Sequence, residues 1–215
     1  MIIPVADMIK RFRVTKVLPT NARPSYNIAP SQEVATVNGV GERQLLSCRW
    51  GFIPTWAKDP SIGNKLINAR SETVSTKPAF MHAFKTHRCL IVANGFYEWE
   101  NRGGRKYPVY IRLKSKEPFG LAGLYNMWES PEGDAICTCT IITTQANDLI
   151  QPIHERMPVI LPEDREDFWL DSANKDQPGL LSVLAPYPSQ EIELYPVSPQ
   201  VNSPNNNSPR NIEPI

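Results

Sequence analysis

RCLIVANGFYEWENRGGRKYPVYIRL, residues 88–113, decides the fold. CLIVA (89–93) is a short, uninterrupted apolar run, the pattern of a strand buried on both faces. FYEWEN and KYPVYIRL then flank Gly103 and Gly104, residues that accept positive φ, so residues 96–113 read as a β-hairpin. Pro108 has no backbone N–H and predicts an edge or a bulge there. Towards the carboxyl end, FGLAGLYNMW (119–128) and AICTCTIITT (135–144) are two further strands, with Cys137 and Cys139 sharing a face by the two-residue period. Towards the amino end, residues 33–37 and 44–52 read as strands joined through NGVGER. Val5, Met8, Ile9 and Phe12 lie at i, i+3, i+4 and i+7 and predict a short helix over residues 4–12. Residues 53–87 lose strand alternation, and Pro78 opens a helical turn through Phe80 and Phe84. PEDREDFWL (162–170) and PGLLSVL (178–184) read as short helices. Many short strands with small helices predict an α+β, barrel-like mixed sheet. The Asn/Ser/Pro-rich tail, residues 200–215, has the composition of a disordered end.

Composition narrows the class. A chain of 215 residues with 41% hydrophobic content can bury a core without staples. Mean hydropathy is −0.35, and neither a spanning apolar run nor a basic-then-apolar leader is visible, which predicts a soluble, cytoplasmic protein. Four irregularly spaced cysteines, Cys48, Cys89, Cys137 and Cys139, are expected to be reduced and buried, and no standard zinc spacing occurs among them. Proline, at 21 residues, argues for strands joined by rigid turns and against a long-helix bundle. The net charge of +1 hides a division: residues 41–116 carry +9 and residues 117–215 carry −11. The basic part is either a track for an anionic partner or one of two solvated faces that attract each other within the fold.

Polarity singles out three places. Glu98 lies in a strand whose alternation puts Phe96, Glu98 and Glu100 on one face, away from Tyr97 and Trp99. It reads as a solvated strand carboxylate or a titrating group. His154, before Arg156 and a proline, reads as a loop acid/base or as a cap on the preceding turn. Asn68 and Arg70 offer an amide and a guanidinium fork suited to phosphate, or Arg70 pairs with Glu72. Trp50, Trp56 and Trp99 are candidates for base stacking or for core packing.

Taken together, YNIAP (26–30), RWGFIPTW (49–56), NARSET (68–73), RCLIVANGFYEWE (88–100) and IHERMPVIL (153–161) resemble, in order and spacing, the SOS-response-associated peptidase (SRAP) family. The resemblance covers nearly the whole chain. It implies a single domain over residues 1–215 with a central barrel-like sheet, acting on abasic sites in single-stranded DNA as a monomer without metal or other cofactor. The family's amino-terminal cysteine bonds to the ring-opened sugar aldehyde. Carried over by motif, Asn68 would orient the reacting terminus or sugar, Glu98 would shuttle protons, and His154 would act as acid/base in ring opening. Arg70 and Arg156 would hold phosphates, and Trp56 and Trp99 would support the kinked strand. Lyase and self-processing peptidase activities in the DNA-damage (SOS) response are further implications.

The chain departs from the family at its start. Family members begin Met-Cys-Gly-Arg-Phe, whereas this sequence opens Met1-Ile2-Ile3-Pro4, and no cysteine precedes Cys48. The expectation is a native start about five to seven residues upstream, with the supplied chain unable to form the crosslink. The alternatives are a non-covalent single-strand binding module that has lost its nucleophile, and a protease acting on other proteins.

Overall fold

The computed structural model describes residues 3–18, 24–39 and 41–215. Met1, Ile2 and Val40 of the NGVGER connection lie outside the described residues. In chain order the elements are helix α1 (Val5–Arg11), strands β1 (Val14–Val17), β2 (Glu33–Asn38), β3 (Arg43–Trp50) and β4 (Asn68–Arg70), and helix α2 (Met81–Thr86). Strands β5 (Arg88–Ala93), β6 (Phe96–Arg102), β7 (Arg105–Leu113), β8 (Phe119–Glu129), β9 (Ala135–Gln145), β10 (Arg156–Pro158) and β11 (Ile160–Leu161) follow. Helices α3 (Glu166–Leu170) and α4 (Gln177–Ser182) and strand β12 (Ile192–Pro196) complete the set.

The expected α+β class is the observed one. A nine-stranded sheet runs β1-β3-β2-β5-β8-β9-β10, with β11 on β8 and β4 on β9 off this path, and an additional parallel pairing of β3 with β9 closes five of these strands into a ring of hydrogen bonds. All other neighbours in that ring are antiparallel. A second sheet has the order β12-β7-β6.

CLIVA is buried at every position because β5 feeds two cores. Leu90 and Val92 join Phe12, Phe80, Phe84 and Trp169 under the short helices. Cys89 and Ile91 face the other way and pack with Val109, Ile111 and Ile192 of the second sheet. The β6–β7 hairpin turns at Gly103 and Gly104, with φ of 59° and 83°, as a two-residue turn with both central residues left-handed requires.

Pro108 is not at an edge: β7 is the middle strand of its sheet. The Pro108 carbonyl accepts from Val197 N at 3.1 Å, just beyond the end of β12. Pro108 thus stands at the end of the ladder with β12, where its missing N–H removes one bond.

Two further expectations are corrected. Cys48 and Cys137 form a disulfide, while Cys89 and Cys139 are free and buried. The parallel register of β3 on β9 sets Arg49 beside Thr138, which brings the preceding cysteines to a Cα separation of 4.6 Å. The carboxyl tail is docked and not disordered. The buried Asn27 amide donates to the carbonyls of Val201, Ser203 and Asn206 at 2.9, 3.0 and 3.1 Å, and Tyr26 N donates to Asn207 Oδ1. An asparagine-rich segment gains order here because side-chain amides take up the main-chain groups that regular structure would otherwise satisfy.

Candidate functional site

A cleft of about 390 Å³ opens where the edge strand β6 of the small sheet faces β4, β9 and β10 of the large one. Six separate segments converge on it. Strand β4 lies parallel to β9, with Asn68 opposite Ile141 and Arg70 opposite Thr143, and presents Asn68 and Arg70. Strand β6 brings Glu98 and Trp99, the turn before β10 brings His154, and the start of β10 brings Arg156. Trp50, at the end of β3, donates its indole N–H to Ile67 O at 2.8 Å and pins the approach to Asn68.

Within the cleft, Glu98 Oε1 lies 3.9 Å from His154 Nδ1. The Glu98 side chain is only 21% exposed, and burial pushes its carboxyl above the usual value. His154, a hydrogen bond from the Trp99 backbone and Lys106 act against that rise. The backbone N–H of Arg156 donates to His154 Nδ1 at 3.1 Å. The same nitrogen lies 3.0 Å from the Arg156 carbonyl, so it accepts from the N–H in one tautomer and donates to the carbonyl in the other. When Nδ1 carries a proton, that proton faces the Arg156 carbonyl and the Glu98 carboxylate. The pair can thus exchange protons with a group in the cleft while the imidazole stays oriented.

Arg156 is heavily committed. Its Nη1 and Nη2 each donate to Glu72 at 3.0 Å, Nη2 also reaches Thr143 O at 2.6 Å, and Nε donates to Thr143 Oγ1 at 3.2 Å. The bidentate guanidinium holds the Glu72 carboxyl below its ordinary range. Glu72 therefore pairs with Arg156 and not with Arg70. Arg70 is exposed at the cleft and is the guanidinium there with no hydrogen bond or ion pair among the described residues.

Six of the seven site residues expected from sequence line this cleft: Asn68, Arg70, Glu98, Trp99, His154 and Arg156. Trp56 does not. It is 60% exposed and borders a separate shallow hollow with Pro54, Pro78 and His82. The strand reading of residues 96–99 holds in part. Phe96 packs toward the core of the large sheet and Tyr97 toward Tyr110, 5.2 Å between ring centroids. Because β6 is an edge strand, side chains from both its faces border the cleft. Sequence reasoning missed Glu72 as the partner of Arg156, Thr143 as its platform, and Asn202, which accepts the Trp99 indole N–H at 2.7 Å. The only local signal for Thr143 was its place in a strand, and for Asn202 a tail motif that composition marks as loop.

Comparison with known proteins agrees with the motifs. The profile of the SOS response associated peptidase (SRAP) family matches residues 2–204. The chain is 49% identical over 210 residues to the abasic site processing protein YoqW of Bacillus subtilis (strain 168), spanning 96% of this chain and 94% of that protein. It is 34% identical over 226 residues to the abasic site processing protein HMCES of Gallus gallus, covering 90% of this chain and 67% of the relative. Among solved structures, a Bacteroides thetaiotaomicron protein superposes with a TM-score of 0.79 at 28% identity, covering 86% of this chain and 82% of its own. A Bordetella bronchiseptica protein gives 0.77 at 26% identity, with 90% and 95% covered. With its cleft, its five ordered motifs and a profile match over nearly its full length, the chain belongs to the SOS response associated peptidase (SRAP) family.

Proposed function

We propose that the cleft binds single-stranded DNA at an abasic site and carries out proton transfers on the opened sugar. The observation that carries this reading is the convergence of Glu98, His154, Asn68 and Arg70, from segments far apart in sequence, on one cleft. Relatives that share the fold and nearly half of the residues are named for abasic-site processing.

The chemistry follows from these groups. An abasic sugar equilibrates between a closed hemiacetal and an open aldehyde, and opening moves a proton from the anomeric hydroxyl to the ring oxygen. His154 and Glu98, 3.9 Å apart, supply an acid and a base on one side of that sugar. Asn68, exposed on β4, offers an amide to orient the sugar or the attacking amine. Arg70 meets a flanking phosphate, and Arg156, with one N–H left over, chiefly holds the Glu72 turn and the His154 loop in place. Trp99 gives an aromatic wall for a base. The covalent step needs an amine and a thiol on one amino-terminal cysteine. The α-amine adds to the aldehyde, the carbinolamine loses water to an imine, and the thiol adds to the imine carbon while its proton passes to nitrogen. The buried Cys89 and Cys139 and the bonded Cys48 and Cys137 do not meet this requirement, since their amines are in peptide bonds.

The test compares the 215-residue chain with one extended by Met-Cys-Gly-Arg-Phe, each incubated with abasic single-stranded oligonucleotide and read by denaturing gel and intact mass. We expect both to bind, and only the extended chain, once its initiator methionine has been removed to free the cysteine amine, to yield a heat-stable adduct weighing the processed protein plus DNA less one water. Binding without an adduct in either protein identifies a non-covalent module. Failure of both to prefer abasic single strands overturns the reading.

Affinity should also fall with salt, because each neutralised phosphate releases counterions. For Arg70→Ala the slope of log affinity against log salt is expected to become shallower by about 0.7, the value for one contact to a single strand. An unchanged slope removes Arg70 from phosphate binding.

A further inference from the structure

The carboxyl tail meets the cleft at one side chain. Trp99 stands beside Glu98 on β6, is 36% exposed, and donates its indole N–H to Asn202 Oδ1. Asn202 ends a short 3₁₀ turn, Pro199–Asn202, whose first residues are capped by Ser198 Oγ accepting from Gln200 N. That turn is held from below. Val201 is buried against Tyr110 and Val197, and the Asn27 amide bonds to the carbonyls of Val201 and Ser203, the residues on either side of Asn202. On the same face of β6, Tyr97 OH donates to Tyr26 O at 2.6 Å, so the same loop that grips the tail also grips the strand. The result is a rigid path from the YNIAP loop through the tail to the edge of one indole ring.

We infer that Asn202 is a positioning residue for DNA binding, acting through Trp99. This rests on the reading of the cleft as a single-strand site. A half-exposed indole on an edge strand has open rotamers, and a base that stacks on it must immobilise it. Fixing the ring beforehand removes that ordering cost from the binding step. Asn202 fixes it through the N–H at the ring edge, which leaves the ring face free for a base. The Asn/Ser/Pro-rich tail is on this view a wall of the site.

The test is a double-mutant cycle on binding of an abasic single-stranded oligonucleotide by the full chain. Asn202→Leu is expected to weaken binding about three- to tenfold, the cost of ordering one side chain. In a Trp99→Phe background, which has no N–H to hold, Asn202→Leu should add no further loss. Equal losses in both backgrounds, or none in either, overturn the inference. A second measurement needs no DNA: the fluorine resonance of Trp99 in 5-fluorotryptophan-labelled protein, assigned by its loss in Trp99→Phe. It should shift or broaden in Asn202→Leu and stay near its wild-type position in Asn202→Asp, which keeps the acceptor oxygen. An unmoved resonance in Asn202→Leu overturns the tether, whereas a moved resonance with no oligonucleotide binding by the wild type overturns the reading of the cleft and the DNA role with it.

Discussion

In a chain supplied with the amino-terminal cysteine, Glu98→Gln is expected to slow adduct formation at abasic sites by about 10²- to 10⁴-fold, the usual worth of a positioned acid/base. Single-strand affinity should stay within about twofold, because glutamine keeps the shape and polarity of the side chain and Arg70 and Trp99 are untouched. Burial raises the Glu98 carboxyl above the ordinary glutamate range, so it ionises later than an exposed glutamate. If ionised Glu98 is the form that accepts protons, the rate climbs with pH on a limb displaced above the ordinary carboxylate range, and the limb vanishes in Glu98→Gln. Stability moves the opposite way. Between the unfolded and the raised folded value the folded state holds the extra proton, so stability falls as pH rises through that window. Above it an ionised, largely buried carboxylate remains as a cost, which glutamine removes. Glu98→Gln should therefore melt higher than the wild type at neutral pH, and the difference should shrink below pH 4.5. Rapid adduct formation by this variant would remove Glu98 from the chemistry.

The largest loss of stability is expected from Glu166→Ala, about 3–5 kcal/mol. Glu166 has a fully buried side chain and lies 2.8 Å from Arg43 Nη1 and 3.0 Å from Arg11 Nη2. Arg43 is itself 2% exposed and also donates to Phe12 O and to Asp167 Oδ1. This cluster ties α1 and β3 to α3. Removing the glutamate takes the one fully buried carboxylate from both guanidinium groups and leaves Arg43 with Asp167 and the Phe12 carbonyl and Arg11 with the exposed Glu163, so much of their desolvation is no longer compensated. For a chain of this size the melting temperature should drop by roughly 6–20 °C, at ~2–4 °C per kcal/mol. The paired change Arg43→Met with Glu166→Leu should recover most of that loss, since apolar groups of similar volume need no partner. A Glu166→Ala protein that melts within about 2 °C of the wild type sinks the argument. The same cluster gives an acid limit. Hydrogen bonds from Arg43 and then Arg13 hold the Asp167 carboxyl below its usual 3.8, so its contribution is present above that pH and is lost as pH falls through the lower folded value.

Much of the strand plan was legible because its signals are local. CLIVA announced a strand with two buried faces, Gly103-Gly104 a tight hairpin, and the Val5/Met8/Phe12 spacing a helix with one apolar stripe. What failed depended on neighbours distant in sequence. Pro108 was tolerated in a central strand because of where β12 happens to end. Cys48 and Cys137 are 89 residues apart, and only the parallel register of β3 on β9 makes them partners. The tail has the composition of a disordered end and became ordered because Asn27, at the other end of the chain, offers its amide to three of its carbonyls.

By itself, then, the sequence determined the types of the longer elements, the α+β class, the family through its five motifs, and the residue types at the candidate site. The short strands β1, β4, β10, β11 and β12 exist by pairing and carried no strand signal of their own, β4 falling in a stretch read as non-strand. Backbone propensity, side-chain period and turn chemistry are properties of a few adjacent residues, so they survive in a linear reading. Only the tertiary structure decided that Glu98 meets His154, that Glu72 takes Arg156 and leaves Arg70 without a hydrogen bond among the described residues, that Trp56 stands outside the cleft, and that Asn202 holds Trp99. Apart from the place of Trp56, each is a matter of pairing across tens to more than a hundred residues. Such pairings are set by which strand faces must be buried against one another, a condition that the whole folded chain satisfies at once and no local stretch can state.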